Sequence, residues 1–366
     1  MHAIIPAGGA GTRLWPLSRR DHPKFLHDLT GTGRSLLQAT IDRMTPLARS
    51  VTVVTGDRHA QSVREQLPQV PAEAVLAEPA PRDSMAAIGL AAAVLARRHG
   101  GEDVIVGSFA ADHVITDEEA FAEAVGAAEA AAAAGYVATI GVEASSPSTA
   151  FGYIEAGAEL TQVRAGLPVH RVAAFTEKPD VDTATAYLAT GRYRWNAGMF
   201  VVAARVLLDH LARHQPDLAA GLDAIAAAWD GPEREQVLAR HWAGLPAISI
   251  DHAIAEPVAA RGGVAVVPAS FGWDDVGDWA SIRAVLGPAG ADAAVRVLGD
   301  ADRVLALDAP GGMVVPGSGR TVVLVGVPDA VVVDTPDAIL VTTAAHAQRV
   351  KDAVAALARP GADHLL

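Results

Sequence analysis

Short apolar runs without polar alternation recur through the first half of the chain, with helical stretches between them. The runs are Ala3-Ile4-Ile5-Pro6, Val51-Thr52-Val53-Val54-Thr55, Ala74-Val75-Leu76-Ala77 and Val104-Ile105-Val106. Residues 35–47, 58–67, 84–98 and 117–134 read as the helices. A strand buried on both faces is apolar at every position rather than at alternate ones. The β-α-β-α order therefore predicts an α/β fold, a Rossmann-like, mostly parallel sheet flanked by helices. Sheets of that kind bind ligands at the carboxyl ends of their strands. The loops after these runs are where chemistry is to be sought.

Further along, residues 151–155, 170–175 and 198–202 read as strands, and 182–190 and 205–230 as helices. From about residue 303 the texture changes. Val-rich runs at 303–307, 313–315, 321–325, 330–333 and 339–341 alternate with Gly, Pro and Asp turns. That pattern predicts tightly turned, stacked or hairpin strands, too few for a long solenoid. A helix over 344–357 closes the tail. Gly287-Pro288-Ala289-Gly290 breaks the pattern and predicts a boundary. The expected domains are a large one over 1–286 and a short C-terminal β-rich one over 287–366, ending in a helix.

Composition narrows the function classes. The 366 residues suffice for a large core, and 51% hydrophobic against 19% charged residues excludes a disordered chain. Lys and Arg total 29 against 42 Asp and Glu, a net charge of −13. That balance argues against nucleic-acid or anionic-membrane partners, which need clustered cations. It leaves room for a local basic pocket that takes a small anion. Cysteine is absent, so disulfides, thiolate zinc sites and a Cys nucleophile are excluded. The Ala-rich stretch 122–142 carries Glu123 and Glu129 and does not make a membrane span. The start has no basic segment of a secretory signal. A cytoplasmic protein is expected. The histidines are dispersed, and none is assigned to catalysis.

After the first run comes Pro6-Ala7-Gly8-Gly9-Ala10-Gly11-Thr12-Arg13-Leu14-Trp15-Pro16-Leu17-Ser18. Gly8, Gly9 and Gly11 let main-chain N–H groups approach an anion that larger side chains would exclude. Arg13 offers a fork for phosphate, and Lys24 a compact positive charge. The plainer alternative is a strand-to-helix turn. A P-loop is excluded, because the frame from Gly8 reaches Arg13-Leu14 instead of Gly-Lys. A dinucleotide fingerprint fails at Leu14, where its third glycine belongs. A phosphate loop of another kind is left.

Other residues suit the same chemistry. Asp112 follows the fourth run, and Asp275 lies in a Gly- and Trp-rich turn. Two carboxylates with phosphate oxygens and waters suit Mg²⁺. Spacing alone does not pair them, and an N-cap or turn aspartate is the alternative for each. Glu177-Lys178 ends a β-like run, where an acid and a base can read a hydroxyl and a phosphate together. A solvated surface pair is the alternative. Asn196 offers a donor and an acceptor. Gly152 leaves room for a ligand or marks a bulge. Glu78 and Pro79 follow the third run.

These segments together resemble the sugar-nucleotide pyrophosphorylases. The resemblance rests on the glycine loop through Arg19, on Pro23-Lys24-Phe25 and on Glu78-Pro79-Ala80-Pro81-Arg82-Asp83. It continues at Ala111-Asp112-His113, Phe151-Gly152-Tyr153-Ile154-Glu155 and Phe175-Thr176-Glu177-Lys178-Pro179. Trp195-Asn196-Ala197-Gly198-Met199-Phe200, Ser249-Ile250-Asp251 and 272–279 extend it, and 331–341 fits as well. Trp15-Pro16-Leu17-Ser18 points within the family to the mannose-1-phosphate guanylyltransferases.

The resemblance implies transfer of GMP from GTP to α-D-mannose 1-phosphate, giving GDP-mannose and diphosphate with Mg²⁺. It implies nucleotide binding by Ala7, Gly8, Gly9, Ala10, Gly11, Thr12, Arg13, Glu78 and Pro79. Sugar-phosphate binding falls to Gly152, Glu177, Lys178, Asn196 and Asp251. Asp112 and Asp275 match the metal aspartates, with Asp274 the adjacent competitor. Arg13, Lys24, Asp112, Lys178 and Asp275 are the expected catalytic set. His113 is expected to be a structural neighbour. The usual family string has Gly-Tyr where this chain has Ala150-Phe151, a difference that bears on the sugar pocket. A relative using another sugar or base, or a nucleotide-sugar-binding regulatory homologue, is the alternative. The length argues against a fused isomerase domain, and a homodimer is the candidate assembly.

Overall fold

The structure is a computed structural model that describes residues 1–9, 11–100, 104–288, 295–359 and 361–366. Ala289 and Gly290 of the expected boundary lie outside the described residues. The chain forms two compact units. One unites Met1–Ala7, Ile41–Ala110 and Ile115–Trp273; the other unites Gly8–Thr40, Ala111–Val114 and Asp274–Leu366.

The strands, in chain order, begin with β1 (His2–Ala7), β2 (Val51–Gly56), β3 (Val75–Glu78), β4 (Ile105–Ser108) and β5 (Val114–Ile115). They continue with β6 (Val137–Glu143), β7 (Tyr153–Glu159), β8 (His170–Thr176), β9 (Tyr193–Ala203), β10 (Val264–Ala269) and β11 (Trp273–Asp274). The first unit holds a nine-stranded sheet in the order β3-β2-β1-β4-β9-β6-β10-β8-β7. The strands read from the first half pair in parallel: β3 with β2, β2 with β1, and β1 with β4. β6 and β10 are also parallel, whereas β9 runs antiparallel to β4 and β6. The α/β class is as expected.

The helix Asp83–Arg98 shows why this sheet is deeply buried. From Met85 to Leu95 it is apolar on every side and fully buried. Its alanines keep it slim, so neighbours approach closely; a Cβ on Gly89 would stand 2.8 Å from Leu222 Cδ1. Its residues share one core with Ile4, Val54, Leu76 and Val106 of the sheet. The helix Glu118–Ala133 begins where the Asp117 carboxylate accepts the N–H of Ala120 at 3.0 Å, an N-cap. It packs on β4, β6, β9 and β10.

Two expected elements differ in detail. The span 205–230 is two helices, Ala204–His214 and Pro216–Ala228. Pro216 has no N–H to continue the first helix and sits naturally at the start of the second. The closing helix is a 3-10 turn, Ala344–Arg349, running into an α-helix, Val350–Leu357. β10 and the helices Arg234–His241 and Trp279–Val285 were not expected from the sequence.

The second unit carries β12 (Val295–Val297), β13 (Val304–Leu307), β14 (Gly312–Pro316), β15 (Val322–Val325), β16 (Ala330–Asp334) and β17 (Ile339–Thr343). β12, β14 and β16 stack in parallel, and β17 closes that sheet antiparallel to β16. β13 and β15 form a separate parallel pair. Met313, Val331 and Val333 share a core with Leu14, Trp15, Leu29 and Leu36. The glycine loop and its following segment thus fold onto the Val-rich tail, more than 270 residues on in the chain.

Candidate active site

The second unit gathers the residues suited to phosphate and metal. β1 ends at Ala7, whose carbonyl accepts the Thr55 hydroxyl at 2.8 Å, and the glycine loop follows. Gly9 and Gly11 have φ of +85° and +57°, the left-handed region that favours glycine. At Gly11 a second constraint applies, because a Cβ would stand 2.7 Å from Lys24 Cβ and 2.9 Å from Ser18 Oγ. Around Gly8 and Gly9 a Cβ would meet nothing within 4 Å, so the space beside both is open. Thr12 and Arg13 begin a 3-10 turn whose Leu14 is buried. Ala10 lies outside the described residues.

Lys24 ties two distant carboxylate residues together. Its ammonium is 2.7 Å from Asp112 Oδ2 and donates to the Asp275 carbonyl at 2.7 Å. Burial pushes the Asp112 carboxyl up, but the charges of Lys24 and His113 together with hydrogen bonds from Lys24 and the backbone hold it below the ordinary carboxylate value. Asp275 goes the other way. Burial raises it, opposed by the cations Lys24, His113 and Arg13 and reinforced by the neighbouring Asp274. The Asp274 carboxylate is spent locally, accepting the Val276 N–H at 2.6 Å. Val276 has φ +49°, an uncommon conformation for a β-branched residue. Asp278 caps the next helix through Ala280 and Ser281.

The first unit holds the residues suited to a sugar phosphate. Asn196, on β9, is buried and held at both ends of its amide. Its amide nitrogen donates to Asp251 Oδ1 at 2.7 Å, its carbonyl accepts the Thr139 hydroxyl at 3.0 Å, and its main-chain N–H donates to Gly152 at 2.8 Å. A Cβ on Gly152 would stand 2.5 Å from Glu177 Oε2, so a larger residue there would have to displace the Glu177 carboxylate. Glu177 and Lys178 are paired at 2.7 Å, with side chains 9% and 63% exposed. The carboxylate is anchored and the ammonium reaches outward. The bond to Glu177 raises the Lys178 pKa against its partial burial, with help from Asp251 and Asp83. Burial, then the charge of Glu177, pushes Asp251 up to about 6. Asp251 opens a π-helical turn, Asp251–Ala255, a form frequent at functional sites.

Glu78 ends β3, with Pro79 following. Burial alone pushes its carboxyl up to about 7, and its Oε1 has no hydrogen-bond partner among the described residues. Phe151, where the family pattern has Tyr, packs against Trp195 and Trp273 with ring centroids 4.9 and 5.2 Å apart.

The model of the nucleotidyl transferase family matches residues 2–287. The chain belongs to that family. A second model, of the mannose-phosphate isomerase/GMP-like β-helix domain, matches this nucleotidyl transferase over residues 302–357. The chain is 42% identical over 286 residues to the xanthan biosynthesis protein XanB of Xanthomonas campestris, covering 76% of this chain and 58% of XanB. It is 39% identical over 290 residues to a mannose-1-phosphate guanylyltransferase of Escherichia coli K12, covering 77% and 59%. The chain thus spans less than two thirds of these curated relatives. A crystal structure of a mannose-1-phosphate geranyltransferase from Thermus thermophilus matches 98% of this chain and 99% of that one, with 33% identity and a TM-score of 0.82.

The nucleotidyl transferase's structure also uses residues that sequence reasoning passed over. Thr139 holds the Asn196 carbonyl, and its signal was a lone hydroxyl in the apolar run of β6. Glu256 accepts the Glu177 N–H at 3.4 Å and pairs with His252 at 3.0 Å. Gln348 meets Arg13 at 3.2 Å, a contact no local pattern announces.

Proposed function

We propose that this nucleotidyl transferase moves GMP from GTP to α-D-mannose 1-phosphate, releasing diphosphate and forming GDP-mannose. The observation that carries the reading is the Asp112–Lys24–Asp275 cluster, which the fold assembles from three separate chain segments. The relatives named as mannose-1-phosphate guanylyltransferases support the choice of base and sugar. Residues 1–286 are assigned to catalysis and 287–366 to a β-rich domain. The cytoplasm, which supplies GTP and sugar phosphates, is the assigned compartment.

The donor set fits a hard divalent cation. Asp112 and Asp275 each offer it a carboxylate, and Lys24 links the two residues through the Asp112 carboxylate and the Asp275 main-chain carbonyl. Mg²⁺ prefers such sites, completing its octahedron with waters and substrate phosphates. Asp112 and Asp275 would hold it, and when bound it neutralises phosphate charge.

The remaining work falls to the chain. The attacking oxygen of a sugar phosphate is already ionised, so no general base is needed. Alignment and charge neutralisation then supply the rate. The amides of the Gly8 to Gly11 loop, Arg13 and Lys24 hold the triphosphate and stabilise the departing diphosphate. Lys178 holds the attacking phosphate for in-line displacement at the α-phosphorus. Glu177, Asn196 and Asp251 bind sugar hydroxyls, with Gly152 leaving the space. Glu78 accepts N–H groups of guanine beside Pro79. The test is incubation with GTP labelled at the α-phosphorus and mannose 1-phosphate. Label should pass to GDP-mannose; label on the protein, or none in a sugar nucleotide, would count against the mechanism.

A further inference from the structure

The 3-10 turn Ala344–Arg349 lies at the end of the Val-rich tail, in the same compact unit as the glycine loop. From it Gln348 reaches two groups. Its Oε1 accepts from Arg13 Nη1 at 3.2 Å, and its Nε2 donates to Asp278 Oδ2. Chemistry fixes the orientation of this amide, since a guanidinium only donates and a carboxylate only accepts. Asp278 is itself held by the fold. It is 6% exposed, and its Oδ1 accepts the N–H groups of Ala280 at 2.7 Å and Ser281 at 3.0 Å at the start of a helix. Gln348 is therefore a strut between a buried helix cap and the arginine of the glycine loop. The loop backbone is braced separately. Trp15 Nε1 donates to the Leu365 carbonyl at 2.6 Å, and Arg19 grips Asp337 with two bonds of 2.6 Å. For the Arg13 guanidinium, the bond to Gln348 is its one hydrogen bond among the described residues.

We propose that Gln348 is a positioning residue that holds the Arg13 guanidinium ready for the triphosphate, so that the C-terminal β-rich domain completes the phosphate site. The proposal rests on Arg13 being a triphosphate ligand. A long side chain that is already held loses less freedom when the ligand arrives, and that difference appears as affinity. A planar fork aimed in advance also preserves directional bonds to phosphate.

The experiment is a double-mutant cycle of Arg13→Ala and Gln348→Ala. GTP binding is measured by calorimetry without sugar phosphate, alongside steady-state kinetics and thermal unfolding. Gln348→Ala should weaken GTP about tenfold while leaving the KM for mannose 1-phosphate unchanged, and any fall in melting temperature from the freed Asp278 oxygen should be the same with and without Arg13. In the Arg13→Ala background the same change should add nothing to the loss of GTP affinity. Gln348→Glu combined with Asp278→Asn should restore GTP affinity. The new Asn keeps an oxygen for the helix cap and donates to the new Glu, which accepts from Arg13. Wild-type affinity in Gln348→Ala, or an equal loss with and without Arg13, overturns the proposal. If Arg13→Ala itself binds GTP normally, the reading of Arg13 fails, and the strut with it. An impaired Arg13→Ala beside a normal Gln348→Ala would sink the strut alone.

Discussion

Glu78→Gln should make the protein more stable at neutral and alkaline pH while weakening its grip on GTP. Burial raises the Glu78 carboxyl from an ordinary 4.5 to about 7, and no hydrogen bond to Oε1 offsets that burial among the described residues. The sign follows from proton linkage. A raised folded-state pKa contributes stability that is fully present below about pH 4.5 and is lost as pH rises through 7. In the ionised protein the buried charge therefore costs about 3 kcal/mol, taking the rise of 7 − 4.5 = 2.5 at 1.36 kcal/mol per pH unit. Glutamine carries no such charge. Its stability advantage should be about 1 kcal/mol at pH 5 and about 3 kcal/mol by pH 7.5. Urea unfolding across that range measures it. Calorimetry at pH 8 should show GTP binding weakened about 10- to 100-fold, because a carboxylate accepting two guanine N–H groups becomes an amide with one acceptor. Parallel pH profiles for the two proteins would refute the burial argument. A changed profile with unchanged GTP affinity would refute base recognition by Glu78 and leave a buried acid without a ligand.

Two more predictions concern the other clusters. Asp112→Asn and Asp275→Asn should each cut turnover at saturating Mg²⁺ by a factor of about 100 or more. Thermal unfolding should show an intact fold in both, and near-normal turnover in either would remove that residue from the metal site. Gly152→Ala places a Cβ 2.5 Å from Glu177 Oε2, which must shift, and should raise the KM for mannose 1-phosphate about tenfold with GTP affinity unchanged. An unchanged KM would show that Gly152 makes no room for the sugar.

The strands of the parallel half were legible because burial on both faces leaves an unbroken apolar signature, as in Ala3-Ile4-Ile5-Pro6. The Val-rich tail announced itself through its turns. Pro216 was visible in the sequence too, yet the amphipathic pattern on both sides of it masked the break between two helices. Residues of the candidate site stood out where local chemistry is unusual, as at Gly11, which must adopt a positive φ beside Lys24. Contacts set by tertiary folding were invisible. Nothing near Gln348 in sequence points to Arg13, and nothing near Lys24 points to the Asp275 carbonyl. The same holds for Thr139, a hydroxyl whose purpose appears only when β6 and β9 pair.

The most direct test of the central claim is competition in one vessel. The protein would be given GTP, ATP, UTP and dTTP with mannose, glucose and N-acetylglucosamine 1-phosphates, and the sugar nucleotides resolved with time by chromatography. GDP-mannose should form first and dominate, with diphosphate released in equal amount. Preferential formation of any other sugar nucleotide, or diphosphate release without one, would contradict the assignment.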